Sequence, residues 1–313
     1  MGIATLLLSV FTFVELNCEN LFDCQHDSLK QDVEWTVEGE RHWTKKRYWK
    51  KINNIAKTIV ATGTNGNEWQ VPDMIAMTEV ENDSVMRDLC RRSLLKKARY
   101  EYIITNSPDV RGIDVALLYN PLSFQLLNSY PLRVEPLDGM RPTRDILYVR
   151  GLCADDTLHV FVVHSPSKFG GSSKTDPYRM QVARRLCGAT DSIMNINSKA
   201  RIIVAGDFND TYKDASLKFI SRHRLNNISY NATGSNGARG TYKYKGTWEN
   251  IDNIFVSDSL REHFVASQVF DAPFLLIDDK DDNGEKKPRR NYNGLSWANG
   301  FSDHLPLIAT FNF

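Results

Sequence analysis

The sequence predicts an α/β fold of mixed β-sheets covered by helices. Short apolar runs alternate with amphipathic helical segments, and several runs follow one another with only a turn between them. A purely parallel, doubly wound sheet would need a crossover helix between neighbouring strands, so direct joins call for antiparallel pairs. No linker divides the 313 residues, and a single domain over 1–313 is expected.

The elements follow in order. "FTFVELNCENLFD" reads as a buried strand ending in polar residues. "WTKKRYWKKINNIAKTIVATG" reads as a helix capped by Thr44, with Tyr48, Ile52, Ile55 and Ile59 on one face and Gly63 as its stop. "DMIAMTEVEN" is a second strand and "SVMRDLCRRSLL" a helix. "YEYIITN", "IDVALLYN", "RDILYVRGL" and "LHVFVVHSP" are strands. The next helix is expected in "DPYRMQVARRLCGATDSIM", with Asp176 as N-cap and Pro177 at its first position. "RIIVAGDFND" is a strand, "DASLKFISRH" a helix, "NATGSNGARGTYKYKGT" a loop, and "NIDNIFVS" and "LPLIATFNF" the last strands. The polar stretch over 271–300 is too long for a neutral connection and reads as a lid or a mobile insertion.

Bulk properties bound the function. Hydrophobic content is 42%, charged content 25% and net charge +1, which is ordinary for a globular chain and implies no nucleic acid or membrane partner by itself. Cys18, Cys24, Cys90, Cys153 and Cys187 lack C-x-x-C spacing, so they read as core residues, not as a disulfide framework or a zinc site. The apolar start is too short for a membrane span, and residues 1–10 read as a leader remnant at most. Both a cytoplasmic and an exported location fit.

Polar clusters recur where apolar runs end: Asn17, Glu19 and Asn20; Glu79, Glu81 and Asn82; His164; Asp207, Asn209 and Asp210; and Asp303 with His304 before the final run. Ligands gather at strand ends in α/β sheets. If these ends converge, they form one pocket of carboxylates, amides and two histidines. Such hard oxygen donors suit Mg²⁺, or alternatively Mn²⁺ or Ca²⁺, and not zinc. The chemistry expected of that set is metal-assisted hydrolysis of a phosphoester.

"LNCENLFD", "TEVEN", "RGIDVALLYN", "VVHSPSKFGG", "VAGDFND", "IDNIFVS" and "SDHLP" resemble, in order and over nearly the whole chain, the motif series of the endonuclease/exonuclease/phosphatase superfamily. "ERHWTKKRYWKKINNIAK" looks closest to a bacterial branch of it. The resemblance implies a deoxyribonuclease I-like fold. That is a four-layer α/β-sandwich of two mixed, mostly antiparallel sheets packed face to face, helices outside, in two similar halves. It implies Glu79 as principal metal ligand, with Asn17 and Asp303 completing the metal shell. Asp207 and Asn209 would orient water and the scissile phosphate. His304 would contact phosphate or act as base, Asp252 would hold its ring, and His164 would stabilise developing charge or act as acid. Arg144 would match a phosphate-contacting arginine. One departure is Val163-His164-Ser165-Pro166-Ser167, where the branch often has Asn before the histidine and Trp after it.

The expected activity is metal-dependent phosphodiester hydrolysis by an endonuclease or exonuclease acting as a monomer. The alternative substrate is an inositol phosphate, lipid headgroup or other small phosphoester. His26, His42, His159, His223 and His263 lack motif context and read as structural or surface residues. Glu19, Glu81 and Asp210 read as supporting residues. "RRSLLKKAR" over 91–99 and "KKPRR" over 286–290 are either solvated faces or phosphate contacts. The glycosylation tripeptide at Asn82 lies too close to Glu79 to be read as modified.

Overall fold

The computed structural model describes residues 10–63, 69–154, 156–168, 170–280, 282 and 284–313. Two six-stranded sheets form its centre. The first runs, edge to edge, Phe264–Val269, Leu307–Asn312, Val10–Leu21, Met74–Val80, Asp114–Tyr119 and Glu101–Ile104. The second runs Gln125–Leu132, Ile146–Cys153, Asp156–His164, Arg201–Asp207, Asp252–Ser257 and Leu225–Asn227.

Each sheet has a parallel pair at its centre and antiparallel joins on either side. Val10–Leu21 pairs with Met74–Val80, and Asp156–His164 with Arg201–Asp207. A parallel join needs a crossover, and each pair has a helix in that position: Lys45–Ala61 in the first half and Ser172–Ile196 in the second. The two halves therefore repeat one plan, as the sequence predicts.

Alternation along the strands builds three apolar layers. Phe13, Met74, Ala76 and Leu117 of the first sheet meet Val160, Val162, Ile203, Ala205 and Ile254 of the second between the sheets. Val14, Leu16, Ile75 and Met77 face outward onto Ile52, Ile55 and Ile59 of the first helix. Phe161, Val163, Ile202 and Val204 face outward onto Val182, Leu186 and Cys187. Strands covered on both faces read as continuous apolar runs, which is why the central ones are legible. The result is the four-layer sandwich.

Three strands of the two large sheets escape the sequence reading. Gln125–Leu132, Phe264–Val269 and Leu225–Asn227 are all sheet edges, and the first two are largely exposed. An edge strand buries little and lacks the apolar signature. Two further expectations need correction. The second crossover helix begins at Ser172, not at Asp176, because Gly171 at φ 111° ends the preceding loop one turn earlier. Pro177 lies inside that helix, and Asp176 forms an ion pair with Arg179 on the next turn. The supposed loop before Asp252 contains a hairpin, Tyr242–Tyr244 with Thr247–Glu249. The 271–300 stretch also forms two short hairpins, Leu276–Asp278 with Lys286–Pro288 and Tyr292–Asn293 with Ser296–Trp297.

Residues 1–9, which include most of the expected leader remnant, lie outside the described residues, and Val10 already pairs with Asn312. The cysteines are free, and all but the half-buried Cys24 are buried. No described helix is long and apolar enough to cross a membrane.

Candidate active site

Sheet register aligns the second half's residues. His164 pairs with Asp207 across the parallel join, and Asp207 with Asp252 across the antiparallel one, so the three stand in a row on neighbouring strands. Gly206 permits this approach. Its φ is 148°, and a Cβ there would lie 1.8 Å from the carbonyl oxygen of Val163.

The first sheet uses bulges instead. Pairing of Val10–Leu21 with Met74–Val80 slips beyond Asn17 and Thr78. Glu19, Asn20 and Glu79 adopt left-handed backbone there, with φ of 49°, 55° and 59°. A bulge re-aims side chains at a strand end. Left-handed backbone at a non-glycine residue costs about 1–3 kcal/mol, and such residues cluster at functional sites.

These devices bring the strand ends together. Asn17 Nδ2 donates to Asp207 Oδ2 at 3.0 Å, linking the two sheets. His164 Nε2 lies 3.6 Å from Asp207 Oδ2 and 3.9 Å from Glu79 Oε1. The Asn20 N–H donates to Glu79 Oε2 at 2.8 Å. Asn209, at φ 52°, donates its backbone N–H to Asp207 Oδ1 at 2.8 Å and its side-chain amide to the Ser165 carbonyl at 3.1 Å. His304 Nδ1 lies 2.7 Å from Asp252 Oδ2, and Tyr242 packs on the His304 ring with centroids 4.8 Å apart. The Ser302 hydroxyl donates to the Asn17 carbonyl at 2.7 Å and accepts the His304 N–H at 3.1 Å. Lys51 and Asn54 of the first helix donate to the Phe301 and Gly300 carbonyls and hold this segment from behind.

Glu79, His164, Asp207, Asn209, Asp303 and His304 line one cleft of about 510 Å³. Asn17 and Asp252 support it from behind through Asp207 and His304. Arg144 is buried outside the lining, donating to Asp109 Oδ2 at 3.0 Å and to the Ser165 carbonyl at 2.9 Å. Asp303 Oδ2 accepts from Arg290 Nη2 at 2.8 Å, so the 271–300 stretch reaches the site. Glu19 pins that stretch by accepting the Asn291 and Tyr292 N–H groups at 2.6 and 3.2 Å. Glu81 accepts the Asp23 N–H at 2.6 Å. Asp210 lies 2.8 Å from Arg179 Nε and accepts the Ser216 hydroxyl at 2.6 Å, joining two helices. Asn82 caps the Asp83–Arg92 helix through the Val85 N–H.

Sequence reasoning missed Arg111 and Lys168, which also line the cleft, as do Tyr242 and Tyr244 of the aromatic stretch "TYKYKGTW", where both stacking on bases and core packing are open readings of the sequence. Arg111 Nη2 lies 3.8 Å from Glu79 Oε1. Its signal was its place directly before Gly112, whose φ of 82° turns the chain into the Asp114–Tyr119 strand. Glu15 was also missed. It is fully buried, and burial with the carboxylates of Asp252 and Asp207 holds its pKa well above the usual range.

The electrostatics are uneven. Burial works against the His304 charge, but Asp252, Asp207 and Asp303 outweigh it and raise its pKa well above the ordinary value. His164 moves the other way, through burial first and then Arg144 and Arg111. Burial and Asp252 push Asp207 up to about 7. Burial leads that shift and the Asp252 charge adds to it, and a divalent cation would offset the added charge. Ligand atoms of Asp207, Asp252 and His304 lie within 4.8 Å of one another. The donors here are carboxylates, an amide and imidazoles, with the carboxylates in the majority, and this set fits a hard divalent ion.

A family model for the Endonuclease/Exonuclease/phosphatase family matches residues 12–312. No curated protein matches the sequence. Among solved structures, an endonuclease/exonuclease/phosphatase family protein from Bacteroides thetaiotaomicron is similar at 17% identity, TM-score 0.63, with 98% of each chain covered. A mannosyl-6-phosphatase from the same organism is similar at 16% identity and TM-score 0.62, covering 96% of this chain and 98% of that one. TDP2 from C. elegans gives 14% identity and TM-score 0.60, covering 97% of this chain and 75% of that one. At these identities the likeness shows the fold, and the family model covers nearly the full length. The chain belongs to the endonuclease/exonuclease/phosphatase family, a family of phosphoester hydrolases.

Proposed function

We propose that this chain is a divalent-metal-dependent phosphodiesterase of nuclease type. The observation that carries the reading is the meeting of Glu79, His164, Asp207, Asn209, Asp303 and His304 in one cleft, with Asp252 behind His304. Glu79 and Asp303 are assigned to hold the ion, with Asn17, set behind Asp207, completing the shell through water, Mg²⁺ first and Mn²⁺ or Ca²⁺ as substitutes. When bound, the ion would offset charge on the phosphate and leaving oxygen.

The chain's own groups do the rest. Asp207 and Asn209 orient water and the scissile phosphate. Asp252 fixes the tautomer of His304 and favours its protonated form, so His304 can hold positive charge against the phosphate or accept a proton from water. His164, kept neutral, donates a hydrogen bond to an oxygen on which charge develops. Arg111 supplies a fixed charge beside Glu79. Arg144, behind the cleft, is assigned to positioning through the Ser165 carbonyl.

A second reading keeps the site and changes the substrate to a small phosphoester such as an inositol phosphate or lipid headgroup. The ion pairs made by the leading cations of both basic stretches favour it. Arg91 lies 2.6 Å from Glu101, Arg92 3.1 Å from Asp88, Lys286 2.5 Å from Asp278 and Lys287 2.7 Å from Asp279. Charges already neutralised contribute little to a phosphate-backbone track. Hydrolysis of a DNA oligonucleotide, an inositol phosphate and a plain diester is compared with Mg²⁺ and with EDTA. Full activity in EDTA sinks the metal-dependent reading. Turnover of the inositol phosphate alone selects the second.

A further inference from the structure

A second cavity, of about 490 Å³, adjoins the active cleft. Its walls grow from the same strand ends. Thr211, Tyr212 and Lys213 follow Asn209 after one residue, and one residue separates Thr247 to Asn250 from Asp252. Glu249 lines both cavities, and it pairs across its hairpin with Tyr242, the residue packed on His304.

The chemistry of this cavity differs from that of the cleft. Tyr212 and Tyr230 meet at its wall with centroids 5.5 Å apart and an interplanar angle of 63°. Both are 47% exposed. Aromatic rings left half open carry unburied apolar surface that a flat ring can cover. Asn250 braces the Tyr230 loop by donating to the Tyr230 and Ala232 carbonyls at 3.4 and 3.0 Å. Lys213 stands 5.6 Å from the Tyr212 ring, and Arg239 stands at the wall with an exposed side chain. The cations, amides and hydroxyls around the rings do not suit an acyl chain. They suit a flat heterocycle with hydrogen-bonding edges.

We propose that this cavity is a subsite for a nucleobase whose phosphate lies in the active cleft, so that the substrate is a nucleotide phosphodiester. The proposal rests on the functional reading above and names its substrate. Stacking on tyrosine tolerates any base, since every base offers a π-face.

The test is calorimetric and needs no turnover. The full chain is titrated with Ca²⁺ present, using AMP and ribose 5-phosphate, which differ by the base alone. The wild type is expected to bind AMP about tenfold more tightly. Tyr212→Ala, Tyr230→Ala and the double variant are expected to lower that ratio towards one while leaving ribose 5-phosphate binding unchanged. The single variants guard against a double variant that does not fold. A wild-type ratio near one overturns the proposal, as does an equal loss for both ligands or a ratio that survives all three variants. Diester hydrolysis with Mg²⁺ is read separately. Base discrimination without hydrolysis keeps the subsite and loses the functional reading, whereas hydrolysis without discrimination loses the subsite alone.

Discussion

His164 and His304 line the same cleft, both nearly buried, and tend in opposite directions as bases. Their difference lies in what surrounds them. His304 has a carboxylate on its ring nitrogen and two more nearby, and these outweigh the cost of burying its charge. His164 also has carboxylates within 4 Å, but Arg144 and Arg111 stand beside it, and burial decides for the neutral form. One side of the cleft is thereby suited to holding a proton and the other to donating a hydrogen bond without charge. Groups pushed apart in this way by their environments are a sign of divided acid–base roles.

Asp207 touches both sides, so its removal should have the largest effect. Asp207→Ala is expected to lower kcat by about 10³-fold or more. A loss under tenfold, measured with Mg²⁺ on a plain diester, would mean the two sides work without it. Asp252→Asn comes next, with a loss of about 10²-fold. The carboxylate favours the imidazolium, so its removal lowers the His304 pKa, and the pH–rate limb that reports His304 should move to lower pH. An unmoved limb would break the contrast between the histidines.

Arg111→Ala is a smaller change. KM should rise about tenfold with kcat within a few-fold, as for a lost charge contact to phosphate. Because Arg111 helps keep His164 neutral, the His164 pKa should also rise in this variant. An unchanged KM would remove Arg111 from the cleft's working side. The smallest effect is expected on the basic stretches. Lys286→Ala and Arg91→Ala should change oligonucleotide hydrolysis by less than about twofold between low and moderate salt, since their charges are already paired. A large, salt-dependent loss would place nucleic acid along those faces.

The same contrast explains what the sequence made legible. Central strands are buried on both faces, so their apolar runs and polar ends stand out, and His164, Asp207 and Asp252 fall at those ends. Edge strands such as Phe264–Val269 carry no such signal. Two further residues beside the histidines were hidden for another reason. Arg111 and Tyr242 reach the cleft through a turn and a hairpin, and only the place of Arg111 before Gly112 hints at it locally. Lys51, a lysine on an amphipathic helix, reads as a solvated charge. It is fully buried and holds the Phe301 carbonyl. Arg144 was drawn in by its motif, yet its guanidinium is taken by Asp109.

The division between the two histidines can be measured directly. The metal-free chain, labelled with ¹⁵N in its histidine rings, is titrated by nuclear magnetic resonance. His304 should remain an imidazolium well above pH 6.5, the ordinary midpoint, and His164 should remain neutral well below it. The assignments come from His304→Gln and His164→Gln. Two histidines titrating together near the ordinary midpoint, or in the reverse order, would contradict the account.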